Sequence, residues 1–370
     1  MLLVAVHVVL SALAAGPVFD ASADSKALQT FAVEGLAVPA CGTVYGAGAL
    51  EDGGMPLGGV GTGYLCFDPE GRLGKASIFN RYPSPIMIGK PFLSLTTEGK
   101  TYTVATPADG VGDAKAVHYF GHFPMADARY DLDLPLRVEV RAFSPFLPGD
   151  AVESNTPAAC FEVFATNLGD APRAVTLSFS PDGFPKGDAA AFSEGDWQGM
   201  QVTHAPLERL PDWIRHTYAV AVENGTVESA EAGIRASATL NLSPGERKSV
   251  KFILAWCQPW LRESSGRVEK HIYSERFADA HAVLAHAAAK REDWQRRILG
   301  YQNALYGMDW PDWLKETLIT APYDLAKSSL WITPQRADDW WGKEGLFLVN
   351  ESFATCSITE TLPCRFFGHW

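Results

Sequence analysis

A glycine-rich stretch is the first feature of the sequence that could do chemistry. In "PLGGVGTGYLCF", residues 56–67, four glycines fall between positions 58 and 63, which invites comparison with phosphate-binding loops. A dinucleotide loop would need a third glycine where Tyr64 stands, and a Walker loop would need a lysine, whereas the next lysine is Lys75. Strand-forming residues follow instead of a helix, so there is no helix N-terminus to hold a phosphate. The stretch predicts a structural turn that enters a hairpin, or a turn that also reaches a ligand.

Other combinations of reactive residues do not form a recognisable site. His118 and His122 lie four positions apart, but in a segment typical of strand and turn, so they would not share a helical face as metal ligands. Asp131 and Asp133 lack the glycine and glutamate that complete a calcium loop. The sequence also has no C-x-x-C pair and no G-x-S-x-G elbow. We therefore expect neither a metal nor an organic cofactor.

Two kinds of element must position any site. Short β-branched or aromatic runs, broken by Gly, Pro, Asn and Asp, predict antiparallel strands that stack as a β-sandwich. They are residues 134–143, 158–167, 173–180, 215–223, 235–242 and 248–256. A turn at residues 68–71 predicts a hairpin just after the glycines.

The pattern becomes helical from residue 274. Residues 274–298 contain no Gly or Pro and are rich in good helix formers, so they predict a long helix that begins near Ser274 and ends at Gly300. Residues 311–331 predict a second helix with Pro311 at its first position and a kink at Pro322. Two or three helices cannot enclose a core of their own, so we expect the start of a helical domain.

Composition limits the partners. The 370 residues are 47% hydrophobic, enough for two domains, and the net charge of −12 argues against nucleic acid or an anionic membrane surface. The apolar residues 1–15 resemble a signal peptide without its basic start, so we expect export, to the periplasm or outside the cell. No other stretch is long enough to span a membrane. The six cysteines are consistent with one or two disulfides.

Several segments resemble one known family, glycoside hydrolase family 116, the non-lysosomal glucosylceramidase and β-glucosidase group. The similarity is most specific in "MPLGGVGTGYLCFDPEGRLGKASIFNR" (55–81) and in the "AFSPF" of residues 142–146. It continues in order through "ILAWC" (253–257) and "PDWLKETLITAPYDLAKSSLW" (311–331). The resemblance implies a β-sandwich packed on an (α/α)6 barrel and retaining β-glycosidase chemistry without a cofactor.

The resemblance also suggests a catalytic residue. Glu351 in "GKEGLFLVNESF" (342–353) looks like the nucleophilic glutamate of the family, although a capping or solvated glutamate is the alternative. The general acid of the family is an aspartate further downstream, which we expect beyond residue 370. The segment "TETLPCRFFGHW" (359–370) departs from the family pattern and makes Glu360 a rival carboxylate.

Three more residues are candidate substrate contacts. Arg365 could bind a sugar hydroxyl or pair with a site carboxylate, or form an ordinary ion pair. Trp340 and Trp341 could stack on the apolar face of a pyranose ring, or pack in a core.

The sequence thus predicts a signal peptide (1–15), a β-sandwich (30–265), a linker helix (266–310) and the start of a truncated (α/α)6 catalytic domain (311–370). The expected function is the N-terminal portion of a retaining β-glycosidase, β-glucosidase-like or glucosylceramidase-like, that acts on a neutral β-glycoside. The alternative is a carbohydrate-binding or scaffold protein without catalysis. The sequence does not specify the sugar, the aglycone or the oligomeric state.

Overall fold

The computed structural model describes residues 16–50, 53–79, 85–204, 216–230, 233–262, 268–334 and 342–350. Its strands are β1 (Asp24–Phe31), β2 (Ala40–Tyr45), β3 (Met55–Leu57), β4 (Leu65–Phe67), β5 (Arg72–Ala76), β6 (Ile86–Pro91), β7 (Leu93–Thr97), β8 (Lys100–Thr103), β9 (Ala116–His122), β10 (Met125–Asp131), β11 (Leu136–Phe143), β12 (Ala158–Asn167), β13 (Arg173–Phe179), β14 (Asp188–Glu194), β15 (Trp197–His204), β16 (His216–Glu223), β17 (Thr226–Ala230), β18 (Gly233–Leu242), β19 (Arg247–Cys257), β20 (Trp260–Arg262), β21 (Val268–His271), β22 (Ser329–Thr333) and β23 (Leu346–Val349). Its α-helices are α1 (Ala151–Ser154), α2 (Ala280–Tyr306), α3 (Asp312–Thr320) and α4 (Tyr323–Ser328). Short 3₁₀ helices lie at Ile272–Glu275 and Gly342–Glu344.

The strands form four antiparallel sheets. The largest has ten strands in the order β1-β2-β9-β10-β11-β12-β19-β16-β15-β14, and a second has five in the order β17-β18-β13-β7-β8. Two smaller sheets have four strands each, β3-β4-β5-β6 and β20-β21-β22-β23. Every strand run predicted from the sequence is observed within one or two residues, and residues 68–71 do form the turn between β4 and β5. The antiparallel β architecture is therefore confirmed.

The ten-stranded and five-stranded sheets share one hydrophobic core. Val138 and Val140 of β11 face this core together with Leu177 and Phe179 of β13, all fully buried. Successive strand residues point to opposite faces, so the alternating pattern of the sequence places one apolar row of each strand between the two sheets.

Strand β19 is apolar without alternation because both of its faces are covered. Phe252, Leu254 and Trp256 belong to the core between the sheets. Ile253 and Ala255 belong to a second cluster, formed with helix α2. A strand buried on both sides needs a continuous apolar run, which explains the "ILAWC" segment.

Helix α2 starts and ends later than predicted. Asp279 caps it by accepting a hydrogen bond from the Ala282 N–H at 2.9 Å, whereas Ser274 lies in the preceding 3₁₀ helix. Gly300 lies inside the helix, which continues to Tyr306. A glycine costs a helix only about 1 kcal/mol, and the burial of Gln302 and Tyr306 beyond it outweighs that cost.

The second predicted helix is divided. Helix α3 ends at Thr320, and α4 starts directly after Pro322, so the proline interrupts the helix as expected. Pro311 is the residue before the first helical residue rather than the first one. Trp331, predicted to be helical, lies in β22 and pairs with Phe347 of β23.

The described residues contain a few C-terminal helices and no (α/α)6 barrel. The domain boundaries placed at residues 30, 266 and 311 remain predictions. Residues 1–15, the predicted signal peptide, lie outside the described residues. Within the described ranges, no helix combines the length and apolarity needed to cross a bilayer.

The described cysteines form none of the one or two disulfides expected from the sequence. The structure describes four of them, all buried and all free thiols: Cys41, Cys66, Cys160 and Cys257. Burial raises the pKa of Cys66 to about 11 and that of Cys160 to about 12. Cys356 and Cys364 lie outside the described residues.

A buried polar network attaches α2 to the large sheet. Arg141 donates two hydrogen bonds to the Asp127 carboxylate, at 2.8 and 2.7 Å. His122 lies 3.3 Å from the same carboxylate and bonds Gln302 of α2 at 3.0 Å. Burial acts to raise the pKa of Asp127, but Arg141 and His122 outweigh it and hold that pKa at about 2. His122 is thus a structural residue in this network.

Candidate functional site

The glycine loop, residues 58–63, is a point of close backbone contact. A Cβ on Gly59 would lie 2.5 Å from the Ser154 carbonyl oxygen, and one on Gly61 would lie 2.9 Å from the Trp331 backbone nitrogen. Gly61 and Gly63 also have φ of +73° and +77°, which favour glycine. The glycines are therefore required by packing, as the structural-turn interpretation predicted. No observation tests whether the loop also reaches a ligand.

Hydrogen bonds tie the glycine loop to three distant segments. The Val60 N–H donates to the Ser154 carbonyl at 2.7 Å. The Gly61 N–H donates to the Ser329 hydroxyl at 2.8 Å, and the Trp256 indole donates to the Thr62 carbonyl at 2.9 Å. The loop thus connects the large sheet, through Trp256, with the small sheet β20–β23.

The small sheet leads the chain directly to the predicted nucleophile. Strand β22 pairs with β23, where Ser329 lies opposite Val349. The Asn350 N–H donates to the Ser328 carbonyl at 2.8 Å, and Asn350 is buried. Glu351 is the next residue of the sequence and lies outside the described residues.

Two buried histidines lie at this junction. Burial lowers the pKa of His271 to about 4, and a hydrogen bond with the Gly61 backbone only partly opposes that shift. Burial also lowers the pKa of His216 to about 4, helped by the neighbouring His204, and His216 in turn disfavours protonation of His271. Both are therefore neutral at pH 7 and add no positive charge for a phosphate.

Several other buried polar residues belong to the small sheet and the segments beside it. They are Gln258, Glu269, Ser328, Ser329, Thr333 and Asn350. Burying polar groups is costly unless they are hydrogen-bonded, so such a concentration is typical of a structural network or of a functional site. Sequence reasoning missed this set because its members come from separate strands. The alternation in β21, where Glu269 and His271 share the buried face, is the one local signal.

All five predicted site residues lie outside the described residues. Glu351 and Glu360 are the candidate carboxylates, and Arg365, Trp340 and Trp341 are the candidate substrate contacts. The distances among these five residues are therefore not part of the described geometry, and their roles remain predictions. Among the earlier alternatives, His118 bonds the Ala23 N–H at 2.9 Å.

Comparison with known proteins gives one family match. Residues 54–223 match the family model described as beta-glucosidase 2, glycosyl-hydrolase family 116 N-term. The match begins just before the glycine loop and ends at the last residue of β16.

Solved structures give more distant similarities. One is a protein titled "Putative kojibiose phosphorylase from human microbiome", at 10% identity and a TM-score of 0.42, with 73% of this chain and 38% of that chain covered. Another is the GH36 α-galactosidase AgaB from Geobacillus stearothermophilus, at 11% identity and a TM-score of 0.29, with 54% and 39% covered. The chain thus spans about two fifths of the length of these proteins.

Proposed function

The chain carries the N-terminal domain of glycosyl hydrolase family 116 in residues 54–223, and on that premise we propose that it is the N-terminal portion of a retaining β-glycosidase. The substrate is a neutral β-linked glycoside such as a β-glucoside. Glu351 is the nucleophile of the reaction. The helices after residue 311 begin the (α/α)6 barrel that carries the rest of the site.

The chemistry follows the retaining mechanism. The Glu351 carboxylate attacks the anomeric carbon and the bond to the leaving oxygen breaks, while a second carboxylic acid about 5 to 5.5 Å away protonates that oxygen. The product is a covalent glycosyl ester. The second residue, now a carboxylate, takes a proton from water, and the water oxygen displaces Glu351 to release the sugar. No metal or organic cofactor takes part.

The family match is the observation that carries this proposal. The contacts of the glycine loop support it, because they connect the matched domain to the strand pair β22–β23 that ends one residue before Asn350. A rigid attachment at this point would position the residue that follows, and site groups must be held within about 0.5 Å to be effective.

The test compares Glu351→Gln with Glu360→Gln in the natural full-length protein, using an aryl β-glucoside. We expect Glu351→Gln to lose at least about a thousandfold in kcat, because no nucleophile remains, and Glu360→Gln to lose far less. Glu351→Gly with added azide should yield the α-glycosyl azide, which identifies the missing nucleophile. Full activity of Glu351→Gln would refute the assignment. Sugar binding without any hydrolysis by the unaltered protein would favour the non-catalytic alternative.

A further inference from the structure

A groove on the outer side of the β domain is separate from the junction described above. Its volume is about 900 Å³, and it lies between the β5–β6 hairpin, strand β7 with the edge strand β8, and the turn at residues 180–183. This size is within the range of small-molecule sites in proteins. The glycine loop and the small sheet β20–β23 contribute no residue to its lining.

Two half-buried carboxyl groups, Asp68 and Asp182, lie in the groove. Asp68 takes a hydrogen bond from the Arg72 N–H at 2.7 Å, and its other oxygen lies beside Gly74, where no side chain fills the space. Burial raises the pKa of Asp68 to about 7. Burial also raises the pKa of Asp182, against the opposing charges of Arg235 and Lys90. Both groups are desolvated and can exchange hydrogen bonds with a ligand hydroxyl.

Acidic and basic residues line the groove in equal numbers. The four of each are Asp68, Glu70, Asp109, Asp182, Arg72, Lys75, Lys90 and Arg235. The Arg72 guanidinium is engaged by backbone carbonyls, at 2.6 Å from Thr106 and 3.2 Å from Val111. Even with Asp68 partly protonated near pH 7, the net charge of the groove is small and favours neither an anion nor a cation strongly.

Apolar side chains lie next to the polar ones. Met87 and Val111, which are 50% and 47% exposed, are two of the large hydrophobic residues on the surface, and both line the groove. Ser94 and Ser180 add hydroxyl groups close by. This mixture matches a sugar ring, which presents C–H surface on its faces and hydroxyls around its rim.

We propose that this groove, which neither the glycine loop nor the small sheet β20–β23 lines, binds a neutral oligosaccharide. Asp182 and Asp68 receive hydroxyl hydrogens, and Met87 covers a ring face. The proposal does not rest on the proposed catalysis, because it uses only residues of the groove.

The experiment measures binding of cellotriose and laminaritriose by calorimetry to the full chain carrying Glu351→Gln, so that bound sugar is not hydrolysed. Asp182→Ala should weaken binding at least about tenfold, since it removes a charged hydrogen-bond partner. Met87→Ala should weaken it several-fold. Inorganic tripolyphosphate and calcium chloride test for an ion site.

Asp170→Ala and Leu168→Ala are matched controls, because both residues are exposed and lie in a turn that does not line the groove. They should change the affinity by no more than about twofold. The proposal is overturned if neither trisaccharide binds at millimolar concentration, if binding is indifferent to both Asp182→Ala and Met87→Ala, or if tripolyphosphate or calcium binds there instead. Hydrolysis can fail while groove binding persists, so the two proposals are tested separately.

Discussion

Replacement of Gly61 by alanine tests whether the glycine loop is a packing contact. Gly61 combines a φ of +73° with a backbone neighbour, since a Cβ would lie 2.9 Å from the Trp331 nitrogen. Gly99, in the turn between β7 and β8, has a φ of +75° and nothing within 4 Å of the same position. The two glycines therefore differ in crowding and not in backbone conformation.

The expected loss of stability follows from the backbone conformation and the crowding at each glycine. An alanine in the left-handed region costs about 1 to 2 kcal/mol, which applies equally to Gly61→Ala and Gly99→Ala. The Cβ at position 61 must also push β22 away, and such overpacking costs about 1 to 3 kcal/mol more. Gly61→Ala should therefore destabilise the protein by about 2 to 5 kcal/mol. Gly99→Ala should cost only the conformational part, about 1 to 2 kcal/mol.

Urea unfolding of the two variants and the unaltered chain provides the measurement. The midpoint should fall further for Gly61→Ala, with the same slope against urea in all three proteins, because the slope reports the surface exposed on unfolding. Equal free energies of unfolding for the two variants would refute the packing argument. On the proposed function, Gly61→Ala should also lower glycosidase activity more than Gly99→Ala does, because it displaces the strand next to β23.

Two further predictions concern buried charge. His271 has a native pKa of about 4 against about 6.5 when unfolded, so the unfolded chain binds more protons between these values and the free energy of unfolding falls as the pH drops through this window. Urea unfolding at pH 7 and pH 4.5 should show that His271→Gln removes about 2 kcal/mol of the loss between these two pH values. An unchanged loss in the variant would contradict this role of His271. Asp127→Asn should lower the free energy of unfolding by about 3 to 5 kcal/mol, because it leaves Arg141 buried without its charged partner. Asp133→Asn, at the exposed pair with Lys115, should lower it by less than about 1 kcal/mol. Similar losses for the two variants would contradict the role of burial.

The sequence predicted the local elements better than their ends. Strands are evident in the sequence because alternating apolar residues indicate a strand with one buried face. The continuous apolar run "ILAWC" is typical of a strand with two buried faces. The start of α2 was misplaced because both Ser274 and Asp279 are suitable capping residues, and only the contacts of the folded chain select Asp279. Gly300 predicts a helix end by its low propensity, but the packing of the residues beyond it overrides that propensity.

The candidate site was less accessible to sequence reasoning. The density of glycines predicted a turn, but not that Gly61 would contact Trp331, since nothing in the local sequence specifies a partner so far away. His216 and His271 gave no signal either, because each is a single polar residue in a strand and their proximity depends on tertiary structure. The groove arises from residues of several strands, and the local sequence around Asp68 indicates only a turn.

The bond between Gly61 and Ser329 joins residues 268 positions apart. During synthesis, the glycine loop leaves the ribosome long before its partner strand exists. The sheets can pair in the meantime, because most neighbouring strands are close in sequence, and the loop can already bond Ser154 and Trp256. The Gly61 amide, however, stays solvated until residue 329 is made. A nascent chain halted before residue 329 should therefore exchange the Gly61 amide hydrogen with water faster than the whole chain does.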